Sequence, residues 1–118
     1  YSAIDIALDT FPYSGGITSC EAMWMGVPVI TFTGTLIASR HATSHLTCVG
    51  LTEFIAADEE SYIETAQQLA NDPDKLRNIR SNLRTRMASS PLCDGPRFVE
   101  HFSQQMREIW VRSEESRP

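Results

Sequence analysis

Apolar and polar positions alternate briefly at the start of the chain and then give way to turn residues. Ile4-Asp5-Ile6-Ala7-Leu8-Asp9 reads as a short buried strand, and Thr10 to Gly16, with Pro12, Ser14, Gly15 and Gly16, as a loop. From Ile17 to Met25 the pattern of Thr18, Cys20, Glu21, Ala22, Met23 and Trp24 predicts a short helix closed by Gly26. Val27-Pro28-Val29-Ile30-Thr31-Phe32 is a second strand, β-branched and apolar, with Pro28 among its first residues, where no ladder donor is needed. Strand, glycine loop, helix and strand make a β-α-β unit, hence a parallel sheet with a right-handed crossover.

A second helix is expected from about Leu36 to Cys48, with Gly50 just past its end, and a short strand within Leu51 to Ala56. Asp58 is placed to cap a helix over 59–70, with Tyr62, Ile63, Ala66 and Leu69 on one face. Asp72-Pro73 opens another, running to about Ser89, with Leu76, Ile79 and Leu83 apolar. Pro91 to Pro96 is a turn. A last amphipathic helix from Phe98 to Val111 is expected to turn Phe98, Phe102, Met106 and Ile109 or Trp110 inward. Two strands followed mostly by helix do not complete a doubly wound sheet. The fold class is therefore α/β, a partial Rossmann-like lobe of parallel strands and helices with a helical C-terminal tail. Residues 1–57 are its later α/β part and 58–118 its C-terminal helices. The abrupt start at Tyr1 predicts a fragment with further strands upstream, and the edge they would cover predicts self-association.

Composition narrows the functional classes. With 118 residues there is enough chain for one domain with a core, and a net charge of −5 argues against a nucleic-acid backbone as partner. Nine of the ten basic residues are Arg, most of them in the C-terminal half and interspersed with acids. Arg77, Arg80, Arg84 and Arg86 therefore read as a solvated helix face, with docking of another domain as the alternative. Cys20, Cys48 and Cys93 are odd in number and fit no metal spacing, which points to thiols kept reduced in the cytoplasm. No apolar run approaches the ~20 residues of a membrane span.

The stretch from Asp9 to Pro28 carries the chemistry. A glycine pair after a strand lets the backbone come close to a ligand, and the helix that follows offers unpaired N–H groups and a positive dipole end. Together they suit a diphosphate at the carboxyl ends of the strands. Thr18 adds a hydroxyl in the first turn, and Glu21, about one turn deeper, can accept from a ribose diol. Each feature also has a plain structural role: Gly15-Gly16 as a tight turn, Thr18 as a cap, Glu21 as an acid favoured by the dipole, Met23 and Trp24 as core. The segment matches neither the dinucleotide G-x-G-x-x-G nor the P-loop. His41 and His45 stand one helical turn apart, but no His-Glu-x-x-His pattern accompanies them, and a polar helix face is the better reading.

The run Asp9-Thr10-Phe11-Pro12-Tyr13-Ser14-Gly15-Gly16, followed by Ile17-Thr18, the acid Glu21 and Trp24-Met25-Gly26-Val27-Pro28, resembles the signature of the O-GlcNAc transferase family. Gly34 to Arg40, Ser44 to Leu51, Leu69 to Asp72 and Ser89 to Leu92 resemble it too, in order and with matching spacing. That resemblance implies a two-lobed GT-B glycosyltransferase, often preceded by tetratricopeptide repeats, with the nucleotide-sugar held mainly by the C-terminal lobe. Gly16, Ile17 and Thr18 would hold the diphosphate and Glu21 the ribose hydroxyls. The donor would be UDP-GlcNAc or another nucleotide-sugar and the acceptor Ser or Thr of proteins. The family is metal-independent, and no cofactor or catalytic residue is expected in this segment. Many relatives carry His-Thr-Thr or Thr-Thr-Thr where this chain has Gly16-Ile17-Thr18, and animal relatives carry Asp in place of Glu21. Plant members with a similar Asp-Thr-Phe-Pro-Tyr loop look like fucosyltransferases using GDP-fucose. Another GT-B transferase or a non-catalytic interaction module are the remaining alternatives.

Overall fold

The computed structural model describes residues 1–116; the last two positions of the 58–118 half lie outside the described residues. Three strands, β1 (Ala7–Leu8), β2 (Val29–Phe32) and β3 (Ile55–Ala56), alternate with α1 (Ile17–Trp24) and α2 (His41–Val49). Three further helices follow: α3 (Glu59–Ala70), α4 (Pro73–Ala88) and α5 (Gly95–Glu115). The sheet is parallel in the order β1-β2-β3, with Ala7 opposite Val29 and Thr31 opposite Ile55. Its central strand β2 is buried throughout from Val29 to Thr31, because α1, α2 and α3 all pack on it. A strand covered on both faces reads as a continuous apolar run rather than an alternation.

Both helix-to-strand turns follow the same local chemistry. Gly26 (φ 78°) and Gly50 (φ 73°) take the left-handed conformation. The next N–H returns to the helix in each case, from Val27 to the Ala22 carbonyl (2.8 Å) and from Leu51 to that of Leu46 (2.9 Å). This satisfies helix-end carbonyls and drops Val27 and Leu51, both fully buried, into the core. The core gathers Met23, Ile30, Leu46, Phe54 and Leu83, with Tyr62, Leu69 and Met87 around them.

Asp58 caps α3 as expected: its carboxylate accepts from the Ser61 N–H (2.8 Å), and the Ser61 hydroxyl accepts from the Asp58 N–H (3.1 Å). The Ser61 hydroxyl and N–H hold the Asp58 carboxyl below its ordinary pKa. Its capping contribution is therefore full above the ordinary carboxylate range and lost as pH falls through the lowered folded-state value. Asp72 caps α4 through the Lys75 N–H (2.9 Å), with Pro73 at the first helical position. Asp72→Ala is expected to cost about 1 kcal/mol, measurable as earlier hydrogen exchange in the first turn of α4.

Several expectations are corrected. Pairing at the first strand is limited to β1 and its neighbours, since the carbonyls of Ile4 and Asp5 are taken by the Arg80 guanidinium (2.6 and 2.9 Å). The helix expected over Leu36 to Cys48 is two pieces: a 3-10 turn at Ile37–Ser39, a non-helical Arg40 (φ −128°, ψ 6°), then α2. The Ser39 hydroxyl accepts from the Leu36 N–H and donates to the Leu36 carbonyl, competing with the helical ladder. Ile63 is exposed at the border of the α3 face that buries Tyr62 and Leu69.

Three of the four α4 arginines are also not simply solvated. Arg80 holds the N-terminal segment, Arg84 lies 4.7 Å from the Trp24 ring centroid, and Arg86 donates to the Gly50 carbonyl (2.5 Å). Arg77 pairs with Asp74 within the helix. The largest departure is α5. It begins at Gly95, earlier than expected, and Phe98, Phe102, Met106, Ile109 and Trp110 are all exposed, so the stripe read as inward faces away from the core. The helix projects from the α/β body, which is why the molecule measures 62 × 29 × 19 Å.

Candidate functional site

β1 delivers the chain to Asp9, and the loop that follows is built on that side chain. The Asp9 carboxylate is buried and accepts three hydrogen bonds of 2.7 Å each, from the Ser14 hydroxyl, the Gly15 N–H and the Thr31 hydroxyl. The Asp9 carbonyl accepts from the Tyr62 hydroxyl of α3 (2.8 Å). Ser14 is a second hub: its hydroxyl accepts from the Ala42 N–H at the start of α2 (2.9 Å), and its own N–H donates to the Ala38 carbonyl (2.9 Å). Thr10 closes the outer side by donating to the Tyr13 carbonyl (2.7 Å). The Phe11 ring meets Phe32 and Tyr62 edge-on. Four elements thus converge on one turn.

That turn hands over to α1. Gly16 is its N-cap; no side chain caps the helix and no acid stands in its first turn. Gly16, Ile17 and Thr18 come together here, with Ile17 and Thr18 exposed, and Glu21 lies one turn on at the same exposed surface. Glu21 accepts from the Tyr1 hydroxyl (3.2 Å). Between β1 and α1 runs a cleft of about 200 Å³ whose lining includes Tyr1, Asp9, Thr10, Thr18 and Ser19. The arrangement offers backbone N–H donors, a hydroxyl and the positive end of a helix at one place, and a carboxylate acceptor about 5 Å further along the helix axis. Groups of this chemistry suit an anion beside a diol.

Gly15 has a reason distinct from backbone freedom. A Cβ at this position would stand 2.6 Å from Ser19 Oγ and 2.9 Å from Thr18 Oγ1, whereas one at Gly16 would meet nothing within 4 Å. Close packing of the turn on α1 demands the first glycine; the second is open to substitution. A second cleft of about 160 Å³, lined by Phe11, Phe32, Gly34 and Leu36 among others, opens on the other side of the loop.

His41 and His45 have separate engagements. The His41 ring lies edge-on to Tyr13 and 3.5 Å from the Ser14 carbonyl, while His45 Nδ1 is 3.5 Å from Cys20 Sγ. Burial pulls the His45 pKa down, with His41 adding to the effect. Burial likewise pushes the Cys20 thiol up, reinforced by Cys93 and Glu21. Among the described residues no group of three His, Cys, Asp or Glu side chains could hold a metal ion. No helix among them is long and apolar enough to cross a membrane. Reading the sequence missed Asp9, Ser14 and Thr31 as the loop's anchors. The available signals were an acid ending an apolar strand and a lone hydroxyl in the most apolar one.

Comparison with known proteins gives a consistent picture. The model of glycosyl transferase family 41 matches residues 2–102. The chain is 46% identical over 112 residues to a Petunia hybrida protein named probable UDP-N-acetylglucosamine–peptide N-acetylglucosaminyltransferase SPINDLY, covering 95% of this chain and 12% of that protein. The Caenorhabditis elegans UDP-N-acetylglucosamine–peptide N-acetylglucosaminyltransferase is 32% identical over 114 residues, 97% of this chain and 10% of that protein. Among solved structures, a mutant of the Thermobaculum terrenum O-GlcNAc transferase superposes with a TM-score of 0.83 at 41% identity, over 91% of this chain and 21% of that one. The chain thus spans about an eighth of the length of the plant relatives it matches.

Proposed function

Because the chain belongs to glycosyl transferase family 41, with the α/β fold of the GT-B catalytic region, we propose that it serves a glycosyltransferase as the seat of the donor's diphosphate and ribose. In this reading the enzyme moves a sugar, GlcNAc in the first instance, from a nucleotide-sugar to Ser or Thr hydroxyls of proteins. The observation that carries it is the uncapped, acid-free N-terminus of α1, set out by the Gly15-Gly16 turn with Glu21 one turn away. The N–H groups of Gly16, Ile17 and Thr18 and the Thr18 hydroxyl would hold the diphosphate; Glu21 would accept from the ribose. Fixed amides and a helix dipole stabilise negative charge as it develops on a leaving diphosphate, so the proposal requires no metal. The acceptor-assisting groups and the base-reading residues would come from the rest of the enzyme. The free edge of β1 is where upstream strands would pair and where isolated copies would self-associate, and the apolar stripe of α5 is a surface that the N-terminal lobe would cover. Tetratricopeptide repeats in the same polypeptide would present the protein substrate, in the cytoplasm.

O-fucosyl transfer from a GDP-sugar is the second reading, since the Asp9-Thr10-Phe11-Pro12-Tyr13 run resembles that of plant members of the family and the residues that read the base would lie elsewhere in the enzyme. Calorimetric titration of the full-length protein with UDP and with GDP separates the two. Binding of one nucleotide, weakened by about 1–3 kcal/mol in Glu21→Ala, is expected. A folded protein that binds neither would overturn the transferase reading and leave an interaction module.

A further inference from the structure

Within the proposed diphosphate site, and resting on that reading, we infer that Asp9 is a positioning residue: its carboxylate sets the Gly15-Gly16 turn so that the first N–H groups of α1 meet the diphosphate. A carboxylate beside a site for a dianion needs a reason to be there. Its negative charge opposes the ligand, and nothing in strand pairing requires it. The geometry supplies the reason. Both oxygens are used inward, Oδ1 by the Gly15 N–H and Oδ2 by the Ser14 and Thr31 hydroxyls, each at 2.7 Å. The first two bonds close the loop back onto the strand that launched it, and the third anchors the carboxylate to β2. Ser14 extends the same network to the Ala42 N–H of α2 at 2.9 Å. Downstream of Gly15 the Ser19 hydroxyl donates to the Gly15 carbonyl (2.9 Å), so the turn is tied on both of its sides. A Gly-Gly turn without such ties samples many conformations, and its N–H groups would not be pre-aimed.

The two opposing effects of Asp9 make the inference testable by sign. If Asp9 acted on the ligand only through space, Asp9→Asn would remove a nearby negative charge and tighten diphosphate binding. If it acts by positioning, the amide NH2 faces either the Gly15 N–H at the Oδ1 position or the Ser14 and Thr31 hydroxyls at the Oδ2 position, so donor meets donor, the turn loosens, and binding weakens. The readout is the ratio of affinities for nucleoside diphosphate over nucleoside monophosphate, using whichever of the UDP/UMP and GDP/GMP pairs the full-length protein binds. Asp9→Asn and Ser14→Ala are each expected to lower that ratio about tenfold. Thr31→Val removes a bond to the same carboxylate without touching the loop. It is expected to leave the ratio within about twofold while lowering thermal stability. An unchanged or raised ratio in Asp9→Asn overturns the proposal, as does an equal loss in Thr31→Val, which would mark a merely structural role. Should Asp9→Asn fail to fold, Ser14→Ala against Thr31→Val decides on the same criterion. A wild-type protein that binds no nucleotide overturns the diphosphate reading itself, and this proposal with it; binding with an unshifted ratio overturns the proposal alone.

Discussion

Replacing Phe54 by Ala is expected to destabilise the α/β body by about 3–5 kcal/mol, a large share of the roughly 5–15 kcal/mol that keeps a domain folded. Phe54 is 1% exposed and the largest fully buried side chain among the described residues. It ends the 3-10 turn of Thr52–Phe54 immediately before β3, a turn that packs against α2 and β2, and Lys75 of α4 reaches to 6.0 Å from its ring centroid. Truncation removes the contact between layers that no neighbour can restore, because Leu46, Leu51 and Ile30 are themselves fully buried. Phe54→Leu keeps most of the volume and is expected to cost under about 1.5 kcal/mol. Native-state hydrogen exchange of the β2 amides in the full-length protein measures both. A loss below about 1 kcal/mol in Phe54→Ala would mean that the ring does not fill the core as described.

Gly15→Ala is expected to damage the site far more than Gly16→Ala, although both residues sit in the same turn. At Gly15 the added carbon meets Ser19 Oγ at 2.6 Å, Thr18 Oγ1 at 2.9 Å and Asp9 Oδ1 at 3.2 Å. Two of these atoms cannot retreat freely: Asp9 and Ser19 are buried, and Ser19 is bonded to the Gly15 carbonyl. The conflict is one of space, and relieving it moves the first turn of α1. The expected cost is about 1–3 kcal/mol in stability, with nucleotide affinity down by about tenfold or more. Gly16→Ala, with open space around its Cβ, should stay within about 0.5 kcal/mol in stability and threefold in affinity. This fits the tolerance for other residues at that position implied by the family resemblance. Equal effects of the two substitutions would contradict the close-packing argument.

The site and its supports were legible to different degrees. Gly16, Ile17, Thr18 and Glu21 could be grouped from sequence because one short helix carries them, and helical spacing alone puts them on neighbouring turns. Asp9, Ser14, Thr31 and Tyr62 could not, because their hydrogen bonds span separations from five to 53 residues. Nothing local distinguishes Thr31 in an apolar strand from a residue placed there by β propensity.

What the sequence determined by itself is the local grammar. Asp58 and Asp72 start α3 and α4, Gly26 and Gly50 end α1 and α2, and the apolar run over 27–32 is the buried centre of a parallel sheet. These follow from caps, left-handed glycines and periodicity, whose energies involve residues within one turn of each other. Only the tertiary structure decided the rest. Arg80 and Arg86 leave a nominally solvated face to cap carbonyls elsewhere in the chain, and Asp9 becomes the buried hinge of the glycine loop. The apolar stripe of α5 faces outward. Periodicity states that a helix has an apolar face; it does not state what covers that face. Burial is a relation between distant segments, and it is settled only when those segments are folded against one another.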